Sequence, residues 1–209
     1  VVPIGYRNAQ AILQPLEGAE VPQAWQGGLP FRYRVGNGEV TVRVAVWAQR
    51  GAAAYKTITN TIAVMRGTAS PDRWVIAGGH RDAWGPGAAD NVSGVSTILE
   101  AGRAIGDAAA AGFRPRRSIV LATWDGEEWG LVGSMEYVEQ MADTLQERAV
   151  AYLNLDVSAN GRYFHAAGTA SLWAFIRDLA ASARQPGDSV SVYEAWRRTS
   201  RSGLCTTGG

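Results

Sequence analysis

Cysteine is almost absent from this sequence: among 209 residues there is only Cys205, close to the C-terminus. A disulfide framework within the chain and a cysteine-rich zinc finger are therefore both excluded, and the redox compartment stays open. Long apolar runs are also missing, since no stretch approaches the roughly 18 residues that a membrane helix needs. Charge of one sign is missing too. Lys and Arg number 20 against 19 Asp and Glu, a net charge of +1 without a basic block, so nothing in the composition calls for nucleic acid or an anionic membrane as partner. The opening Val1-Val2-Pro3-Ile4 has neither an initiator methionine nor the charged and apolar regions of a signal peptide. The closing Ser202–Gly209 segment matches no recognisable element end, and both ends read as cuts within a longer protein. What is present, 46% hydrophobic and 19% charged residues, is the composition of a folded globular chain rather than a disordered one.

Residues 1–54 are uneven in texture. A short helix is expected over Asn8–Leu16, followed by a Gly/Pro-rich connection from Gly18 to Pro30. The alternating run Val40-Thr41-Val42-Arg43-Val44-Ala45-Val46 has the period of a half-buried strand. From Tyr55 onward strands alternate with helices. Thr57–Met65 is β-rich, Trp74–Ala77 is a short apolar run, and Val95, Ile98, Leu99, Gly102 and Ile105 share one helical face with Gly112 as a stop. Ser118–Trp124 is a near-continuous apolar strand, the pattern of burial on both faces. A second helix is expected over about 131–148, a third strand over Val150–Leu155, and a third helix through Leu172, Phe175, Ile176 and Leu179. This alternation predicts an α/β fold built on a largely parallel sheet.

Each apolar strand is followed by residues able to do chemistry. After 74–77 come Gly78-Gly79-His80-Arg81-Asp82, with Asp90 beyond; after 118–124 come Asp125-Gly126-Glu127-Glu128; after 150–155 comes Asp156. In open α/β sheets the ligand crevice lies outside the carboxyl ends of the strands. The sequence therefore delivers one imidazole and several carboxylates to a single edge, donor types that suit zinc. Each residue alone has an ordinary structural explanation: a hydrogen-bonded core histidine, a solvated Glu-Glu helix start, an Asp helix cap. Their joint placement at successive strand ends is the unusual feature. Asp82 is expected to accept the second imidazole N–H of His80, and Glu127 and Glu128, pointing different ways, to divide the roles of base and ligand.

The segments Gly78–Trp84, Ala89–Gly94, Trp124–Gly130 and Tyr152–Asp156, in this order and spacing, resemble the M28 zinc peptidases, in the branch of glutamate carboxypeptidase II. The resemblance runs over nearly the whole chain. It implies a three-layer zinc-exopeptidase fold over 55–209, C-terminally truncated, preceded over 1–54 by the tail of a protease-associated domain. It also implies two Zn²⁺ ions bridged by Asp90, one completed by His80 and Asp156 and the other bound by Glu128, with Glu127 as general base and Asp82 beside His80. A cis Asp90–Asn91 bond and a structural Ca²⁺ near Glu136 and Glu139 belong to the same expectation. For that Glu pair a plain solvated helix face is an equal alternative. Relatives of this kind are exported or membrane-anchored and often homodimeric, which sets the expectation of an extracytoplasmic protein acting on short peptides.

Two departures from the family pattern qualify this. The family's last metal ligand is a histidine near the end of the domain. The one other histidine here, His165, aligns with no ligand. Ala166 stands where the glutamate-selective enzyme carries a substrate-binding arginine, so the resemblance leaves aminopeptidase, dipeptidase and carboxypeptidase activity open. A non-catalytic relative of the transferrin-receptor kind, or an inactive fragment, is the alternative. The joint presence of His80, Asp90, Glu127, Glu128 and Asp156 favours the enzyme.

Overall fold

The computed structural model describes residues 3–36, 38, 40–159, 161–162 and 164–199. Two compact units divide it, residues 1–56 and 57–209. In the first, helix α1 (Tyr6–Leu13) begins and ends a few residues earlier than the pattern predicts, and strands β1 (Ala19–Glu20) and β2 (Arg34–Val35) form a two-residue antiparallel ladder. The alternating run Val40–Val46 is not a strand: residues 40–50 carry no regular structure. Val42, Val44 and Val46 are exposed, and no described strand lies alongside to complete the hydrogen-bond ladder that alternation presupposes. The expected Ca²⁺ pair and the catalytic candidates all fall in the second unit.

That unit is built on a four-stranded mixed sheet in the order β3-β5-β4-β6, comprising β3 (Thr61–Met65), β4 (Ser70–His80), β5 (Arg117–Trp124) and β6 (Ala149–Asn154). β4 is parallel to both neighbours, while β3 closes one edge antiparallel to β5. Helix α2 (Val92–Ala110) links β4 to β5, and Gly112, at φ 98°, follows its end as the sequence predicts. The stretch 131–148 is not one helix but two, α3 (Val132–Gln140) and α4 (Ala142–Arg148), parted at Met141, which leaves helical backbone angles although no proline or glycine marks the place. Helix α5 (Trp173–Ser182) falls where a helix is expected, but Phe175 and Leu179 of its expected apolar face are exposed and Ala180 is its buried residue; α6 (Val192–Thr199) follows it.

The two central strands, β4 and β5, are packed on both faces, while the outer strands β3 and β6 stay largely exposed. On β5, Ser118, Val120, Ala122 and Trp124 are buried on one face, where the Trp124 ring lies 5.1 Å from that of Tyr137 on α3. On the other face α2 approaches so closely that a Cβ at Gly102 would touch the tip of Leu121. The result is an α/β fold, a mixed sheet with flanking helices. Because β4, β5 and β6 run parallel, their carboxyl ends share one edge, and that edge carries the residues singled out above.

Candidate metal centre

His80 closes β4 and is 4% exposed. Its Nδ1 lies 2.9 Å from the backbone carbonyl of Asp82. A carbonyl can only accept, so Nδ1 carries the proton and Nε2 turns its lone pair toward the edge of the sheet. There Nε2 meets Asp90 Oδ1 at 3.0 Å, Asp156 Oδ1 at 3.3 Å and Glu127 Oε2 at 3.9 Å. One donor atom from each of His80, Asp90 and Asp156 lies within 4.8 Å of the other two. Neighbouring ligands around a tetrahedral zinc, with bonds near 2.05 Å, stand about 3.3 Å apart, so the spacing and chemistry of this donor set fit that ion.

The electrostatics point the same way. Burial acts to lower the His80 pKa, but the hydrogen bond to the Asp82 carbonyl and the negative charges of Asp156, Glu127 and Asp90 outweigh it, and the net shift is upward. Carboxylates that raise the pKa of a buried imidazole favour positive charge at that point. Burial raises the Glu127 carboxyl above its ordinary value. His80 opposes this, and the nearby Asp156, Glu128 and Asp82 add to it.

The role of Asp82 differs from expectation. Its Oδ1 stands 3.6 Å from the imidazole, while its two oxygens accept the backbone N–H groups of Glu127 at 2.9 Å and Glu128 at 3.1 Å. The carboxylate thus braces the 125–130 turn, and the imidazole is oriented by the carbonyl of the same residue. The turn is held from its other side as well. Asp125 Oδ2 accepts from Thr59 N at 2.9 Å and from Arg81 Nη2 at 3.0 Å, and Asn60 links Asp125 N to the Gly133 carbonyl. These contacts, with the opposing Arg81 charge, hold the Asp125 carboxyl below its ordinary value: the Thr59 N–H contributes most, and burial opposes it.

The remaining candidates divide as follows. Glu127 stands beside the cluster, whereas the Glu128 carboxylate lies outside the three-residue group. His165 is exposed in an irregular segment together with Ala166 and joins no donor group among the described residues. Glu136 and Glu139 are exposed on α3, and among the described residues they join no cluster of three metal-ligating side chains. Cys205 lies outside the described residues. The Asp90–Asn91 bond is cis.

Two features escaped the sequence reading. Trp84 and Trp129, on the two loops that Asp82 ties together, pack with ring centroids 4.9 Å apart while both remain largely exposed. Asn91, entirely buried, occupies the centre of the hydrogen bonding behind the cluster. The available signal for Asn91 was its place three residues before Gly94 at a helix start, the position of an N-cap.

Comparison with known proteins shows the family. The family model described as "Peptidase family M28" matches residues 60–194. "Aminopeptidase NAALADL1" of Rattus norvegicus is 37% identical over 210 residues, covering 96% of this chain and 28% of the relative. "Probable glutamate carboxypeptidase VP8" of Zea mays is 37% identical over 201 residues, covering 95% of this chain and 28% of the relative. "Transferrin receptor protein 2" of Rattus norvegicus is 37% identical over 191 residues, covering 90% of this chain and 23% of the relative. The chain thus spans little more than a quarter, at most, of the length of these relatives. With the family model covering well over half of its residues and the donor cluster lying inside the matched region, the chain belongs to peptidase family M28.

Proposed function

We propose that the full-length protein is a zinc-dependent exopeptidase that hydrolyses short peptides. The observation that carries this reading is the convergence of His80 Nε2, Asp90 Oδ1 and Asp156 Oδ1 at one sheet edge with the Glu127 carboxylate beside them. His80, Asp90 and Asp156 would hold one zinc. Asp90, whose side chain is 57% exposed, and Glu128 would hold a second. When bound, zinc supplies polarisation of the scissile carbonyl and water acidified to near neutral pH.

The chain's own part in the reaction falls to Glu127. Its carboxylate takes a proton from the attacking water and passes it to the leaving amine, a task that needs a carboxylate held close to the cluster without being consumed as a ligand. Asp82 fixes that position by accepting the N–H groups of Glu127 and Glu128. Ala166 offers no charge to a C-terminal carboxylate, which favours selectivity broader than C-terminal glutamate.

Elemental analysis after dialysis against trace zinc, together with hydrolysis of aminoacyl and dipeptide substrates by the full-length protein, tests this reading. Zinc in the purified chain and turnover abolished by a chelator and restored by zinc are the expected results. A folded chain that takes up no zinc would overturn the proposal in favour of a non-catalytic scaffold.

A further inference from the structure

Asn91 carries four hydrogen bonds, all to backbone groups. Its Nδ2 donates to the carbonyl of His80 at 3.0 Å and to that of Leu155 at 2.9 Å. Its Oδ1 accepts from Gly94 N at 3.0 Å and Val157 N at 3.1 Å. An amide side chain has two N–H donors and two acceptor lone pairs, so every valence is used. The partners are informative. His80 is itself a member of the donor cluster, Leu155 and Val157 flank Asp156, and Asn91 follows Asp90 directly in the chain. One fully buried amide therefore fastens the end of β4, the end of β6 and the first turn of α2, the three places from which the cluster's side chains project.

The surrounding backbone is shaped to admit this amide. A Cβ at Gly94 would overlap both the Leu155 carbonyl oxygen and Asn91 Oδ1, and a Cβ at Gly79 would overlap that carbonyl and crowd Asn91 Nδ2. Glycine at both positions lets three segments close on one side chain. An ordinary helix N-cap needs only the bond to Gly94 N. The other three bonds tie the helix start to two separate strand ends.

We infer that Asn91 is the positioning residue of the metal centre: it fixes the mutual spacing of His80, Asp90 and Asp156 and thereby sets the zinc affinity, without touching the ion. The inference rests on the zinc reading above. Groups that orient ligands from behind typically change metal affinity by about 10–100-fold when removed.

The test is zinc affinity by competition with a chromophoric chelator, on the full chain, with thermal unfolding followed with and without zinc. Asn91→Ala is expected to bind zinc 10–100-fold more weakly and to lose most of the zinc-dependent rise in Tm. Ser118→Ala is the control for general loosening. Ser118 is equally buried and bridges Gly67 N and the Pro71 carbonyl at the far end of the sheet. It is expected to lower Tm while leaving zinc affinity at the wild-type value. If Asn91→Ala does not fold, Asn91→Asp keeps the acceptor toward Gly94 and Val157 but loses the paired donors toward His80 and Leu155, and its zinc affinity is expected to fall in the same direction. Wild-type zinc affinity in a folded Asn91 variant, or an equal loss in Ser118→Ala, overturns the positioning role while leaving the zinc reading intact. Absence of zinc binding by the wild type removes both.

Discussion

Helix α2 carries three glycines that ought to respond to the same substitution in different ways. In a helix interior, Gly→Ala gains about 0.8–1.0 kcal/mol from propensity alone. At Gly106 an added Cβ meets nothing within 4 Å, so Gly106→Ala should stabilise the chain by about 0.5–1 kcal/mol. At Gly102 it meets only the movable tip of Leu121, at 3.2 Å, and the gain should shrink toward zero. At Gly94 the new methyl overlaps the Leu155 carbonyl oxygen and the Asn91 amide. Neither can rotate aside, because each is held by the other. Overpacking of this kind costs about 1–3 kcal/mol. If Asn91 yields, each buried group it leaves unpaired costs about 1–3 kcal/mol more. Against a propensity gain of at most about 1 kcal/mol, Gly94→Ala should therefore lose about 2–4 kcal/mol net. Urea unfolding of the three variants, compared by midpoint at constant slope, reads these values directly. A Gly94→Ala variant as stable as the wild type, or a Gly106→Ala variant clearly less stable, would refute the packing assigned to α2 and with it the clamp around Asn91.

Three further outcomes are expected. Glu127→Gln should retain zinc and lower turnover of the full-length protein by about 10²–10⁴-fold, as removal of a general base does; unchanged turnover excludes that role. Asp125→Asn should cost about 1.5–3 kcal/mol at neutral pH, because Thr59 N–H and Arg81 lose a charged acceptor. The Asp125 carboxyl titrates below its unfolded value of about 3.9, so its contribution is present above that pH and lost as pH falls through the lower folded value. The gap between wild type and variant in denaturant titrations should close below about pH 4, and a gap constant down to pH 2 would contradict the sign. Tyr152→Phe leaves the indole N–H of buried Trp124 without its partner at 2.9 Å and should cost about 1–2 kcal/mol, measured by unfolding with tryptophan fluorescence as probe.

What the sequence disclosed and what it withheld follow from one physical distinction. Apolar pattern reports which residues leave water, and where burial comes from both sides of a sheet the signal is strong. Ser118–Trp124 and Trp74–Ala77 were legible as strands for that reason, and the chemistry at their ends was legible because parallel strands must deliver their ends to one edge. Pattern does not report pairing. Val40–Val46 alternates as well as any strand in the chain, yet the described structure gives it no neighbour, and its valines stay exposed. Nor does it report where polar groups send their hydrogen bonds. Asp82 lies two residues from His80, which made its carboxylate the natural partner for the imidazole, but the carbonyl of the same residue takes that place and frees the carboxylate to hold Glu127 and Glu128. Asn91 is the sharpest case. Its partners at His80, Leu155 and Val157 are 11 to 66 residues away in sequence and all are backbone groups, so no side-chain type at either end records the contact. The residues expected to hold a metal were readable from their chemistry. The residue that fixes their spacing became visible only when the strand ends were brought together.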